Sequence, residues 1–493
     1  MTSSILIAGG GSAGWITANV LAASFERAGG LAPQITLIEA PDIPIIGVGE
    51  ATVPSIRRTL QYIGIGEREF MRACDATFKT LIRFDDWSPG ISFDHPFDRR
   101  ERPATDMAVE DWLRHGQDAP SFDGTFSVLS RITAFNLAPK AVGWPDYGSP
   151  FPYAYHLDAV KLARALTGIG LKRGIRHVLG RITDVNVAAS GSIESVELED
   201  KTIHSADLFV DCTGFAARLV GQALGIEKTS FSKQLLCDRA VTLQIPFETY
   251  RPERIRTYTQ ATARSTGWQW DINLQTRRGV GYVYSSSFQT SDEAERELRV
   301  AEGPPADDLE ARHIAFESHK RKVSWQGNCV AVGLADGFLE PLESSGLYMI
   351  EYAAQALADL LPHAGPNLRI AANRFNANMT SLYAEVLEYV NLHYMTSTRR
   401  DTAFWRAATD QSAIVDSLRD KLPLWRTKRP SELDFDGPLR LFSIESYEYL
   451  LFGMGHTVRA ASGASTQRPD LSGAVAKCKE RLPNHEEWLS KLA

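Results

Sequence analysis

The opening stretch SSILIAGGGSAGWITANVLAASF leaves its backbone few choices. An apolar strand, Ile5 to Ala8, runs into Gly9-Gly10-Gly11-Ser12-Ala13-Gly14 and then into a helical pattern. Gly9, Gly11 and Gly14 fit GxGxxG. The first permits a tight turn, the second lets a pyrophosphate approach the backbone, and the third lets helix and strand pack closely. A second strand, QITLIEA, ends in Glu39, about the right distance on to hold a ribose hydroxyl. The competing reading is a glycine-rich turn with no ligand. Either way the chain begins as an α/β protein with a strand–turn–helix–strand unit.

The totals exclude several classes. A chain of 493 residues, 44% hydrophobic, can bury one large core or two to three intergrown lobes. A net charge of −7 argues against a general nucleic-acid binder. No apolar run is long enough to cross a bilayer, and no leader is evident. Five scattered cysteines show neither CxxC spacing nor a disulfide framework, so a reducing cytoplasm is expected and no metal site is. Ten tryptophans and twenty-two phenylalanines suit a pocket for a flat aromatic ligand, or an ordinary core.

Two later segments point to the kind of dinucleotide. ADLFVDCTGFAARL carries a strand, Leu208 to Val210, ending in Asp211-Cys212-Thr213-Gly214. GNCVAVGLADGFLEP carries another, Cys329 to Val332, ending in Gly333-Leu334-Ala335-Asp336. Both resemble the later FAD motifs of flavoprotein monooxygenases, in which Asp336 would meet a ribityl or phosphate group near a helix start. RHVLGRITDVNV resembles the strand that lines the adenine, with Val178 as its contact; an ordinary edge strand reads the same way. Segments 86–104 and 138–152 read as long surface loops over a pocket. Residues 371–493 read as a mostly helical lobe that covers the substrate. The remainder, 1–370, is expected to be an FAD module assembled from separated segments, with a substrate lobe inserted at about 85–150 and 225–320.

FKTLIRFDDW, residues 78 to 87, poses a separate problem. As one half-buried strand, it would point Phe78, Thr80, Ile82 and Phe84 one way and Lys79, Leu81 and Arg83 the other. Lys79 is then a solvated strand-face lysine or half of a salt bridge, unless it faces inward to do chemistry.

Taken together, several pieces resemble one family, the flavin-dependent halogenases of the tryptophan-halogenase type. GGGSAGW (9–15) and GVGEATVP (47–54) resemble its first flavin motifs. DATFKTLIRFDDW resembles the segment with its essential lysine, which falls on Lys79. FDHPF (93–97) resembles its substrate-stacking stretch, placing His95, Pro96 and Phe97 there; His95 is equally readable as a core histidine. GWQWDINL (267–274) resembles the signature WxWxIP through Trp268, Trp270 and Ile272, with Asn273 in place of the closing proline. FLEPLESSGLY (338–348) resembles the flavin and halide loop and places a catalytic glutamate on Glu343. LHYMTSTRRDTAFWR (392–406) resembles a helical stretch of the C-terminal half.

The resemblance runs from about residue 5 to residue 455 and implies a flavoprotein-monooxygenase-like fold. It adds Ser12, Ala13, Gly49, Ala51, Leu334 and Leu347 to the FAD contacts, and Ser345 and Gly346 as backbone donors to a halide. The implied reaction uses FADH2, supplied by a separate reductase, with oxygen and chloride or bromide, to make hypohalous acid. That oxidant destroys exposed thiols and indoles, so it has to pass through a closed interior. An ammonium group can hydrogen-bond hypohalous acid, and a neutral amine can carry the halogen. Glu343 would hold Lys79, polarise the electrophile and take the ring proton. In the family the two tryptophans keep substrate from the flavin. The implied partners are the transient reductase and a small aromatic substrate of indole type, with neither nucleic acid nor membrane; a homodimer is left open. IESYEYLLFGMG (444–455) sits where tryptophan-specific members clamp the amino-acid head group, yet lacks a clear Tyr-Tyr-Glu arrangement.

Two rivals remain at this stage. An aromatic hydroxylase needs the same flavin but no distant lysine. A non-catalytic flavin-bound binding protein needs neither Lys79 nor Glu343, and both are present.

Overall fold

The computed structural model describes the chain apart from residues 1, 30–31, 44–48, 101–104, 116–120, 251, 365–366, 457, 459–468 and 493. Its contacts divide into two compact units, each drawn from three stretches of chain.

The first unit takes Met1–Asp75, Leu157–Phe231 and Glu317–Ala384. Its six-stranded sheet runs in the order Trp325–Gln326, Cys329–Ala331, Leu208–Asp211, Ser4–Ala8, Gln34–Glu39, Arg176–Leu179. The inner pairings are parallel, with Ile7 opposite both Val210 and Leu37, and Phe209 opposite Cys329. A parallel sheet needs apolar cover, and ILIA and LFV supply it as continuous runs rather than alternating ones. Leu6, Ala8, Ile38, Phe209, Cys329 and Ala331 join one buried cluster. The strands and helix expected from the glycine-rich opening are present: the helix is Ser12–Ala28 and the second strand ends at Glu39. The strand with Val178 is the edge of this sheet, and Val178 itself packs half-buried against the core cluster.

The second unit takes Ala76–His156, Ser232–Phe316 and Glu385–Ala493. Its seven-stranded sheet has Gly267–Asn273 in the interior, between Arg277–Tyr284 and Tyr258–Arg264. Leu81–Asp85 and Ser92–Pro96 close one end. The helical reading beyond residue 371 holds among the described residues, with helices such as Ala403–Ala408, Asp416–Leu424, Ile444–Gly453 and Ser472–Arg481. No helix among them is long and apolar enough to cross a membrane.

Two expectations fail here. Residues 86–104 are not a long surface loop. Ser88-Pro89-Gly90 is the turn of a hairpin, with Gly90 at φ +72°. It brings Ser92–Pro96 back against Leu81–Asp85 in the register Leu81↔Pro96. Pro and Gly marked the turn correctly, but they hid a five-residue strand whose Phe93 is buried and whose Asp94 pairs with Arg83 at 2.7 Å. Residues 101–104 lie outside the described ones. Segment 138–152 carries no helix or strand, as expected of a loop.

The second failure concerns FKTLIRFDDW, which is not one alternating strand. It breaks at Thr80 into Thr77–Lys79 and Leu81–Asp85, which belong to different sheets. Thr80 donates from both its backbone N–H (2.7 Å) and its hydroxyl (2.9 Å) to the carbonyl of Thr257. With that amide committed to a loop, the ladder cannot continue, and residues from Thr77 to Ile82 are all buried.

A buried carboxyl in the first unit gives a stability test. Glu351, on the helix Ser345–Ala364, is 1% exposed and accepts from the hydroxyls of Thr59 (2.5 Å) and Ser55 (3.3 Å). Burial pushes its carboxyl up to about 8, against those two donors. The folded state therefore keeps a proton that the unfolded chain gives up above its ordinary carboxyl range. Its stabilising effect is full at low pH and is lost as pH rises through about 8. Glu351→Gln should flatten the fall of apo-protein melting temperature between roughly pH 5 and pH 9, a difference of a few kcal/mol. Parallel melting curves for the two proteins would refute the assignment.

Candidate active site

The glycine-rich turn is built as a cradle. Gly9 sits at φ +114°, and a Cβ there would meet the Cys212 carbonyl oxygen at 2.2 Å. A Cβ on Gly14 would meet the Gly9 carbonyl oxygen at 1.9 Å. These two glycines are demanded by the chain's own packing. Gly11 is different: nothing lies within 4 Å of its Cβ direction. It precedes a 17-residue helix whose N-terminus has no side-chain cap, so no capping side chain occupies its first-turn amides. Free amides at the positive end of a helix suit a pyrophosphate. Glu39 lies against Gly10 and meets His177 Nε2 at 2.8 Å, at the end of the second strand where a ribose would come. Gly49, at φ +86°, precedes the two-residue strand Glu50–Ala51; Gly47 and Val48 lie outside the described residues. This cradle fits an FAD.

Other acidic groups of the first unit divide by role. Asp211 accepts from the amides of Thr213, Leu219 and Val220 and from the Thr213 hydroxyl, all at 3.0 Å or less. It is spent on its own turn. Asp336 is fully buried after the turn Gly333–Ala335, not at a helix start, and Leu334 beside it is half-buried. Burial lifts the Asp336 carboxyl to about 6, with the charges of Lys320 and Arg321 pulling it back. Lys320 is itself buried, 5.5 Å over the Tyr383 ring.

Glu343 is 2% exposed and precedes Ser344, whose φ of +59° is left-handed for a residue with a side chain. Such backbone is costly and clusters at functional sites. It ends a tight turn, Ser344 N–H to Pro341 carbonyl at 3.0 Å, and opens the helix Ser345–Ala364. Ser345 is buried, Gly346 is exposed with nothing where its Cβ would be, and Leu347 is buried. No acidic residue stands in that first turn to oppose an anion at the positive end of the helix.

In the second unit Lys79 is 0% exposed. Its ammonium lies 5.1 Å from the centroid of the Phe97 ring, within cation–π range. Ala154 is its partner across the strand Ala154–Leu157. Two residues from Ala154, His156 is fully buried. Burial first, and the Lys79 charge second, pull its imidazole well below the usual histidine range. Its hydrogen bonds fix which nitrogen carries the proton. The Thr77 hydroxyl donates to the Asn273 carbonyl (2.5 Å), so it accepts from His156 Nδ1–H at 3.3 Å. The Thr259 hydroxyl donates to Nε2 at 2.9 Å. Lys79 is thus a buried lysine near a neutral histidine, not a solvated strand-face one.

His95 is 5% exposed, opposite Ile82, with its ring 5.8 Å from Tyr389. Pro96 is buried beside it, opposite Leu81, and Phe97 N–H donates to the Thr80 carbonyl at 3.2 Å. Trp268 and Trp270 project from the same face of an interior strand, 1% and 8% exposed, ring centroids 6.2 Å apart. Trp270 lies flat on Gly281, where a Cβ would collide with the indole at 2.1 Å. Asn273 shows what stands in for the signature proline. It is fully buried; its side-chain oxygen accepts from Arg256 N–H at 3.0 Å, and its amide donates to Asp271 at 3.3 Å.

The second unit thus gathers Lys79, Phe97 and His156, while the first gathers the glycine cradle and the Glu343 turn. Sequence reading missed Thr77, His156, Thr259 and His485. Thr77 lies in DATFKTLIRFDDW, where the lysine drew the attention; the other three stand in no motif.

The chain matches the family described as tryptophan halogenase over residues 4–470. The chain belongs to that family. It is 34% identical to the 7-chloro-L-tryptophan 6-halogenase KtzR of Kutzneria sp. (strain 744), over 99% of each chain. It is 32% identical to the tryptophan 7-halogenase RebH of Lentzea aerocolonigenes, over 99% of this chain and 97% of that one. Among solved structures, the tryptophan halogenase of Shewanella frigidimarina NCIMB 400 matches with a TM-score of 0.92 and 35% identity, covering 100% and 98% of the two chains. The fold is therefore that of the flavin-dependent halogenases, and the protein is one of them, using reduced FAD with chloride or bromide. The hydroxylase reading is set aside.

The contrast between glycines is testable. Gly11→Val should fold with a near-normal melting temperature and lose FAD binding, because the added methyls occupy the ground a pyrophosphate needs. Gly14→Val should lose thermal stability instead, since the Gly9 carbonyl cannot retreat. Normal flavin titration by the Gly11 variant would refute the cradle.

Proposed function

We propose that the halogenase passes hypohalous acid to Lys79, which presents the halogen to an indole-type or phenolic substrate other than free tryptophan. The observation that carries this is the complete burial of Lys79 beside the Phe97 ring. A lysine is almost never fully buried without a purpose that offsets its desolvation. Bound FAD, once reduced, supplies the oxygen activation that converts halide to hypohalous acid. The amides of Ser345 and Gly346 hold the halide. Lys79 hydrogen-bonds the acid as an ammonium, or binds the halogen as a neutral amine. Glu343 takes the ring proton. In balance, a carbon–halogen bond forms, the halogen–oxygen bond breaks, and the hydroxyl leaves as water. His95, Pro96 and Phe97 stack on the ring, and Trp268 and Trp270 keep it from the flavin.

The substrate reading rests on the helix Ile444–Gly453. Glu448 there is fully buried and receives Arg100 through two nitrogens, at 2.7 to 2.9 Å, and Arg429 at 3.1 Å. Tyr447 donates to Glu388 at 3.4 Å. A carboxylate already neutralised by two guanidinium groups is a poor receptor for an amino-acid ammonium. The relatives named for L-tryptophan and its chloro derivative are thus guides to the ring, not to the head group. The reading keeps the division into an FAD module (1–370) and a covering lobe (371–493). A separate flavin reductase is its partner and the cytoplasm its setting; a homodimer stays open.

Incubation with FAD, a reductase, NADH and chloride or bromide should convert indoles and phenols to products with halogen isotope patterns, at a higher specificity constant than free tryptophan. In halide-free buffer no hydroxylated product should form. Preference for free tryptophan over indole would overturn the substrate reading. Glu343→Gln keeps the shape but removes the base, so product formation should fall roughly a hundred- to ten-thousand-fold.

A further inference from the structure

The strand Thr77–Lys79 is three residues long and has one strand neighbour among the described residues, Ala154–Leu157, with Phe78 opposite Tyr155. A short edge strand leaves every second amide pointing away from its partner. Here that amide is Phe78 N–H, next to Lys79, and it donates to His485 Nε2 at 3.3 Å. The other ring nitrogen of His485, Nδ1, lies 2.9 Å from the Ile255 carbonyl, which can only accept. The two bonds together assign a neutral ring with its proton on Nδ1.

His485 is itself tied down. It is fully buried, its backbone N–H donates to the Asn136 carbonyl at 2.9 Å, and Asn484 caps its short helix through Glu486 N–H at 3.0 Å. One turn on, Trp488 sets its ring edge-on to Phe78 at 4.6 Å. The segment 483–489 therefore covers the open edge of the strand where a further β-strand would otherwise lie.

We propose that His485 is a positioning residue for Lys79, acting through Phe78. The proposal rests on Lys79 carrying the halogen. It supplies an acceptor to the one outward amide beside the lysine and so fixes where the ammonium stands. Delivery of an electrophile tolerates little error in that position; an ångström of misplacement costs on the order of a hundredfold in rate.

Two isosteric variants separate the bonds. A glutamine carboxamide reaches the place of Nε2 and can still accept from Phe78. An asparagine reaches only the place of Nδ1 and keeps the bond to Ile255. Three quantities are measured: halogenated product per reduced flavin oxidised, the rate of flavin oxidation, and hydrogen exchange of the peptide covering 76–82. His485→Asn should lose product about a hundredfold, oxidise reduced FAD normally, and exchange faster at 76–82. His485→Gln should stay within a few-fold of the parent in all three. A His485→Asn protein with parental product yield, or a parallel fall of product and flavin oxidation in both variants, would overturn the proposal. A Lys79→Ala control distinguishes the two failures. If that variant still halogenates, the role of Lys79 falls and positioning falls with it, whatever the exchange data show.

Discussion

One carbonyl oxygen, that of Thr257, marks where the chain turns Lys79 out of the strand that follows it. It takes two hydrogen bonds from Thr80, one from the backbone and one from the hydroxyl. A strand with that amide diverted cannot continue its ladder, so the residues before and after Thr80 enter different sheets. Without this break, Lys79 and Leu81 would share one face of a single strand, and the ammonium would compete with an isoleucine and a phenylalanine on the other face for the interior. With it, Lys79 is buried, and the bonds around it follow: Thr77 to Asn273, His156 to Thr77 and Thr259, Phe78 to His485. Each is a neutral group bonded to a neutral group. A cationic His156 or His485 here would add charge to a site already holding a lysine. Burial keeps the second of these down to about 4.

The glycine cradle shows the complementary use of sterics. Gly9 and Gly14 are required by backbone atoms of the chain itself, whereas the space at Gly11 is filled by nothing the chain supplies. Open space, uncapped amides and a carboxylate at the second strand's end make an anion site with a polar end for a sugar. The Glu343 turn repeats the pattern on a smaller scale, with strained backbone at Ser344 and small residues opening a helix.

Much of this was legible in the residues. Parallel strands announced themselves as unbroken apolar runs, and the glycine spacing named both turn and cofactor class before any coordinate. The family resemblance held over nearly the whole chain. What stayed hidden depended on contacts distant in sequence. Alternation in FKTLIRFDDW is real, but a period-two pattern cannot tell a half-buried strand from one buried on both faces and broken by a threonine. Pro89 and Gly90 signal a turn, but the strand after them, Ser92–Pro96, is too short to stand out from a loop. His485 lies 407 residues from the amide it holds, and no local signal marks it.

We propose that Lys79 delivers the halogen and has no part in making it. The most direct test follows two quantities in Lys79→Ala: oxidation of reduced FAD in the presence of halide, and the partition of hypohalous acid between aromatic product and an added thiol trap. Flavin oxidation should run at close to the parental rate, the trap should collect nearly all oxidising equivalents, and aromatic product should nearly vanish. Halogenation of the aromatic at near the parental rate would reduce Lys79 to a buried strand residue and contradict the mechanism.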